Sequence, residues 1–225
     1  MLRCAKNYGF IIAVSATIAV TVIICVCAAT CSAATLDFET TFCFVCYRAP
    51  ENSISAGSLS GTVSSYGGAG YILNHDGDYY VTVSCYYSQN DAETVCANLK
   101  RKELDCSVLV VTTEKYRLTN GYAKRNSKLY EGNLNTLNSL SRLAYDCANG
   151  LDTGEFSQGK ANEVISAIRS GLSGLSAANT DNCFTDILKR LDTECDDRQG
   201  GFIYSKDMRY IQIAIADVII NAELS

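Results

Sequence analysis

Few residues in this 225-residue chain have the type and spacing to do chemistry. The one histidine, His75, sits in Asn74-His75-Asp76-Gly77-Asp78. With Asp76 and Asp78 it would offer a metal three ligands, but Asp-Gly between two tyrosine-rich runs is also what a hairpin turn with positive φ requires. The turn is the reading adopted. With a single histidine and no G-x-S-x-G elbow, a serine or cysteine nucleophile has no evident base. Cys43-x-x-Cys46 has redox spacing, but a redox pair opens a helix whose N-terminus activates the first thiol. Here the pair lies in a strand-forming run, where residues three apart face opposite ways unless a bulge intervenes. No second CxxC completes a zinc site. Glu194, Asp196 and Asp197 before Gly200-Gly201 read as a solvated helix end. Gly67-Gly68-Ala69-Gly70 precedes a strand rather than a helix, so it is no phosphate loop. No catalytic residue, metal or cofactor is assigned. What remains is aromatic: Tyr47, Tyr71, Tyr79, Tyr80, Tyr86 and Tyr87 are concentrated in one stretch. On alternating strands some of them face away from any covering helices, where tyrosine can stack on sugar rings and hydrogen-bond them.

Two look-alike segments must position these residues, Phe42–Glu51 and Val81–Asn90, each an apolar or β-branched run ending in Cys-Tyr. Thr41–Arg48 reads as the first strand, ended by Pro50, the single proline. Asn52–Tyr66 has roughly helical spacing of Ile54, Leu59, Val63 and Tyr66, stopped by Gly67-Gly68. Ala69–Asn74 and Asp78–Tyr87 form a hairpin. Asn90–Lys102 is a helix with Ala92, Val95, Cys96 and Leu99 on one face, and Cys106–Thr112 is the last strand. The order is βαββαβ over 41–112. From Asn126 the pattern changes to apolar residues at helical spacing. One stripe runs from Leu129 to Cys147 and stops at Gly150; a second runs from Ala161 to Leu175, and a third from Phe184 to Leu191. A fourth, Met208 to Ile219, is capped by Ser205. These predict an antiparallel helical bundle over 126–224. Tyr210–Ala222 is too short, and too interrupted by Asp217, to span a membrane.

Ahead of both parts, residues 10–34 carry no charge and would extend about 37 Å as a helix, enough for a bilayer core of about 30 Å. Ser32-Ala33-Ala34 looks like a signal cleavage site, but the apolar run is longer than a signal peptide's, so a transmembrane anchor is expected. Arg3 and Lys6 before it place a tail, 1–9, in the cytoplasm and the bulk outside. The net charge of −5 divides into +2 before Asp37 and −7 from there on. A bulk so acidic is a poor partner for nucleic acid or anionic lipid. Of twelve cysteines, eight follow the apolar segment, which permits disulfides; at apolar positions of helices and strands they can equally act as small hydrophobes.

The two β-α-β halves resemble a SPOR domain, the sporulation-related repeat of bacterial cell envelopes. Tyr80–Tyr86, Asn90–Glu93 with Leu99, and Val108–Val111 follow the family's pattern of strand, polar stretch, Ala-rich helix and strand, and Phe42–Tyr47 follows it loosely. The resemblance covers about a third of the chain. It implies a ferredoxin-like four-stranded antiparallel sheet with two helices over 41–112; with the transmembrane helix before it and the bundle after it, which is not part of the family's pattern, the expected fold is α+β. It further implies that the open sheet face binds peptidoglycan glycan strands. The family's binding positions fall on Cys43, Cys46, Tyr79 and Thr82. The expected protein is thus a non-catalytic, single-pass membrane protein of a bacterial envelope, associated with division or sporulation. The alternative is an envelope scaffold whose sheet domain and bundle bind another protein. The two separate on whether the second sheet face is open or covered by the helical half.

Overall fold

The computed structural model describes residues 34–49, 53–102, 104–118, 125–179 and 182–221. The expected tail, 1–9, and anchor, 10–34, lie outside them but for Ala34, as does Pro50. Among the described residues no helix is long and apolar enough to cross a membrane.

Thr35–Ser225 is one compact unit. Its first half has the expected βαββαβ order: β1 (Ala34–Arg48), α1 (Ser53–Ser65), β2 (Tyr71–His75), β3 (Asp78–Tyr86), α2 (Gln89–Lys100) and β4 (Ser107–Leu118). The sheet is antiparallel and runs β2-β3-β1-β4. Asp76 and Gly77 take φ of 52° and 84° between the paired His75 and Asp78, the two-residue turn that Asp-Gly favours. Four helices follow: α3 (Ser127–Thr153), α4 (Gln158–Ala178), α5 (Asn182–Asp196) and α6 (Ser205–Ile220). α6 packs on α3, and α4 on both α3 and α5.

Two strands exceed their expected spans. β1 begins at Ala34 rather than Thr41, and β4 runs on to Leu118 rather than stopping at Thr112. Leu36, Phe38, Thr40 and Phe42 are buried while Thr35, Asp37 and Glu39 are exposed, the period of a half-buried strand. Asp37 and Glu39, between the expected anchor and the expected first strand, are its solvent side. The added lengths lie together: Thr113 Oγ1 donates to Phe38 O at 3.1 Å, and Tyr116 Oη reaches Ile219 O in α6 at 2.6 Å.

Two helix ends also differ. Gly150 does not stop α3; it is buried inside the helix against the Phe156 ring, where a Cβ would come within 2.6 Å of Phe156 Cγ. The helix ends instead at Gly154, with φ of 75°. Ser205 is the first residue of α6, and Tyr204 is its cap, with Tyr204 N donating to Asp207 Oδ2 at 2.8 Å.

α1 and α2 cover one sheet face. Under α2 lie Cys43, Val45, Ala92, Cys96 and Cys106; under α1 lie Ala49, Ala56, Val63 and Val81. The other face carries α6 and α3. Tyr71 Oη donates to Asp217 Oδ2 at 2.6 Å, and its ring lies edge-on to Tyr210 at 5.1 Å. Tyr87 packs beside Phe42, hydrogen-bonds Ser141 at 2.8 Å, meets Tyr145 edge-on and lies 4.0 Å under the Arg142 guanidinium. Gln212 Nε2 donates to Cys85 O at 3.1 Å. The sheet is therefore the middle layer of the molecule.

Candidate functional site

The four residues expected to bind glycan do not share a face. Cys43 belongs to the cluster under α2, and Tyr79 packs half-buried against the cluster under α1. Thr82 pairs with Tyr71 on one side and Cys46 on the other, and Tyr71 meets α6, which puts Cys46 and Thr82 on the opposite face. The bulge that could have brought the two cysteines together exists, but its extra residue, Val83, is on β3. Alternation along β1 stays intact, and Cys43 and Cys46 point apart.

Nor are three of the four accessible. Cys43, Cys46 and Thr82 are fully buried. Thr82 Oγ1 is spent on Tyr71 O at 3.0 Å, and Cys46 Sγ lies 3.8 Å from Ser107 O. Burial is the main force on both thiols: it raises the Cys43 pKa, with Glu93 adding to the effect, and pushes Cys46 up to about 11. A thiol so placed is a packing group and a poor nucleophile. Four other tyrosines of the stretch are also engaged. Tyr47 packs under the helices, Tyr86 meets Tyr145 edge-on, and burial raises the phenol pKa of Tyr71, Tyr86 and Tyr87.

The remaining candidates resolve as structure. His75 Nε2 is 3.6 Å from Asp76 Oδ2 in the turn, and Asp78 pairs with Arg48 at 2.6 Å. Among the described residues no three His, Cys, Asp or Glu side chains are grouped to hold a metal. Glu194 pairs with Arg198 at 3.2 Å, and Asp196 and Asp192 both pair with Arg169 of α4.

The surface that stands out was missed by sequence reading. Tyr66, just past α1, is 81% exposed, and Phe202 and Tyr204, in the loop entering α6, are 66% and 54% exposed. The Phe202 and Tyr204 rings lie 4.8 Å apart. Lys206 joins this pair to the end of α1: its Nζ donates to Ser64 O at 3.2 Å and lies 5.7 Å from the Tyr204 ring. Tyr66 also borders a cleft of about 160 Å³ between α1 and α2, lined by Tyr47, Leu59, Val63, Leu99 and Leu104. Small-molecule sites usually measure roughly 300–1,000 Å³, so this cleft suits a single apolar side chain better than a cofactor. The signal in the sequence was two aromatics within three residues after Gly200-Gly201, Phe202 and Tyr204, where no apolar period demands them.

Comparison with known proteins finds no matching family model, no matching curated protein and no matching solved structure.

Proposed function

We propose that this chain is a non-catalytic, membrane-anchored scaffold of a bacterial envelope, which binds another envelope protein through the aromatic surface at the end of α1. The setting and the SPOR-like character of the βαββαβ half come from the sequence resemblance. The choice of a protein partner over glycan rests on one observation: the sheet face that would bind glycan is occupied by α6 and α3. The exposed Tyr66, Phe202 and Tyr204 offer the rigid aromatic anchors common in protein interfaces, and the adjacent cleft offers a socket for one side chain of the partner.

The test uses the full chain in lipid nanodiscs, with folding checked by circular dichroism. It is sedimented with bacterial sacculi, untreated and stripped of stem peptides, alongside a Tyr79→Ala variant. In parallel, a photo-crosslinking amino acid replaces Tyr66, Phe202 or, as an exposed control, Glu131 in the native host. The scaffold reading expects no preference for stripped sacculi and one discrete protein adduct from Tyr66 and Phe202 that Glu131 does not give. Pelleting with stripped sacculi that is lost in Tyr79→Ala would overturn it in favour of glycan binding.

A further inference from the structure

Cys96 in α2 and Cys106, just before β4, point at each other inside the cluster under α2. Their sulfurs are 3.0 Å apart, and each sulfur also lies against the other residue's carbonyl, at 3.3 Å and 3.4 Å. Among the described residues they are the one cysteine pair with a sulfur-to-sulfur contact, and Cys43 belongs to the same cluster. A disulfide bond is about 2.05 Å long, so each sulfur would need to move by only about half an ångström. Two sulfurs with no third ligand make no metal site.

We propose that Cys96 and Cys106 are a disulfide-forming pair that staples the end of α2 to the start of β4. The oxidant is a second disulfide, carried by a small thiol such as glutathione or by an exchange protein. One cysteine thiolate attacks that disulfide and expels a thiol, leaving a mixed disulfide. The other cysteine then displaces the second thiol. Two protein thiols become one S–S bond, and one oxidant disulfide becomes two thiols, which carry away both protons and both electrons.

The burial of the pair fixes when this happens. Both residues are almost wholly enclosed, at 5% and 2% exposure, and burial raises the Cys106 pKa. An oxidant disulfide cannot reach sulfurs so enclosed in the folded protein, so exchange belongs to the folding chain, before α2 closes on β4. The bond formed is then sealed from reductants.

The test is a peptide map of the full chain, synthesised cell-free into nanodiscs in a buffer of reduced and oxidised glutathione. Folding is checked by circular dichroism, and free thiols are alkylated in denaturant before digestion. Cleavage before aspartate and after lysine and arginine isolates Asp91–Lys100 and Asp105–Lys115, each with one cysteine. A covalently joined pair of these peptides that separates on adding reductant is expected. Chain made under full reduction should melt about 5–10 °C lower. That difference should vanish in Cys96→Ala, and the wild-type map decides the matter even if this variant fails to fold. Alkylated, unlinked cysteines at both positions in folded protein, or Cys106 joined to another cysteine, would overturn the proposal.

Discussion

Tyr71→Phe tests whether α6 sits on the sheet in solution. The substitution keeps the ring that meets Tyr210 and removes only the hydroxyl that reaches Asp217 at 2.6 Å. A hydrogen bond to a charged group contributes about 1.5–3 kcal/mol. Asp217 is only partly enclosed and keeps a second partner in Asn221, so the lower part of that range, about 1.5–2 kcal/mol, applies. For a chain of this size each kcal/mol shifts Tm by about 2–4 °C, so the melt should fall by about 3–8 °C at neutral pH. The effect should also depend on pH, with a defined sign. Burial raises the Asp217 pKa above its ordinary value, and the Tyr71 hydroxyl partly offsets this by stabilising the carboxylate. A raised folded pKa means that protonation favours the folded state: the contribution is full below the unfolded pKa and is lost as pH rises through the folded one. The Tyr71→Phe penalty is therefore largest where Asp217 is charged, and it should shrink as pH falls through that raised pKa. In an Asp217→Asn background the same substitution should cost only the neutral value of about 0.5–1.5 kcal/mol. The assay is thermal melting by circular dichroism, since the chain has no tryptophan. An unchanged Tm with a flat pH profile, or a sheet that melts separately from the helices, would refute the packing and with it the reason for preferring a protein partner.

Other outcomes follow from the same packing. Gly150→Ala drives a Cβ into the Phe156 ring and should cost about 1–3 kcal/mol, whereas Gly132→Ala, on an exposed face of the same helix with nothing within 4 Å, should stabilise by about 0.5–1 kcal/mol; paired denaturant titrations compare the two. Cys46, Cys147 and Cys195, raised to about 11, 11 and 12 mainly by burial, should resist a thiol reagent at pH 8 until denaturant is added, and rapid native labelling of any of them would contradict their burial. Phe202→Ala should leave Tm nearly unchanged, because its ring is mostly solvent-exposed, while abolishing the photo-adduct formed from Tyr66.

The βαββαβ half was legible because its elements are short and bounded by turn chemistry. Asp76-Gly77 could hardly be anything but a hairpin turn, and the alternation around it fixed β2 and β3. The extensions of β1 and β4 were not legible, because Asp37, Glu39, Glu114 and Lys115 look like linker until their buried neighbours are known to face α6. Gly150 misled for a related reason: glycine inside a helix serves close packing as well as termination, and only the position of Phe156 distinguishes the two. Whether Cys43 and Cys46 share a face turns on which strand holds the bulge, and the location of its extra residue at Val83 depends on pairing register, which no single strand encodes.

The last helix carries the most information about the layering. As a sequence, Tyr210–Ala222 is too short for a membrane span, and Met208 to Ile219 reads as one apolar stripe of a bundle. Yet Ile211, Gln212, Ile213, Ala214, Ile215 and Ala216 are consecutive and all buried. A helix buried on every side cannot lie at the edge of a bundle, because an edge helix needs a polar face. It must sit between two partners, and among the described residues the second face of the sheet supplies one of them. α6 occupies that position, with α3 on one side and the sheet on the other. The tyrosines that suggested sugar stacking instead serve this contact: Tyr71 is committed to Asp217 and Tyr87 to Ser141. For glycan to reach them, α6 would have to leave with its whole apolar surface. At about 25 cal/mol per Å² of apolar area returned to water, a few hydrogen bonds to sugar could not compensate. The recognition surface proposed above therefore lies on the outside of the molecule, at the exposed aromatics beside α1.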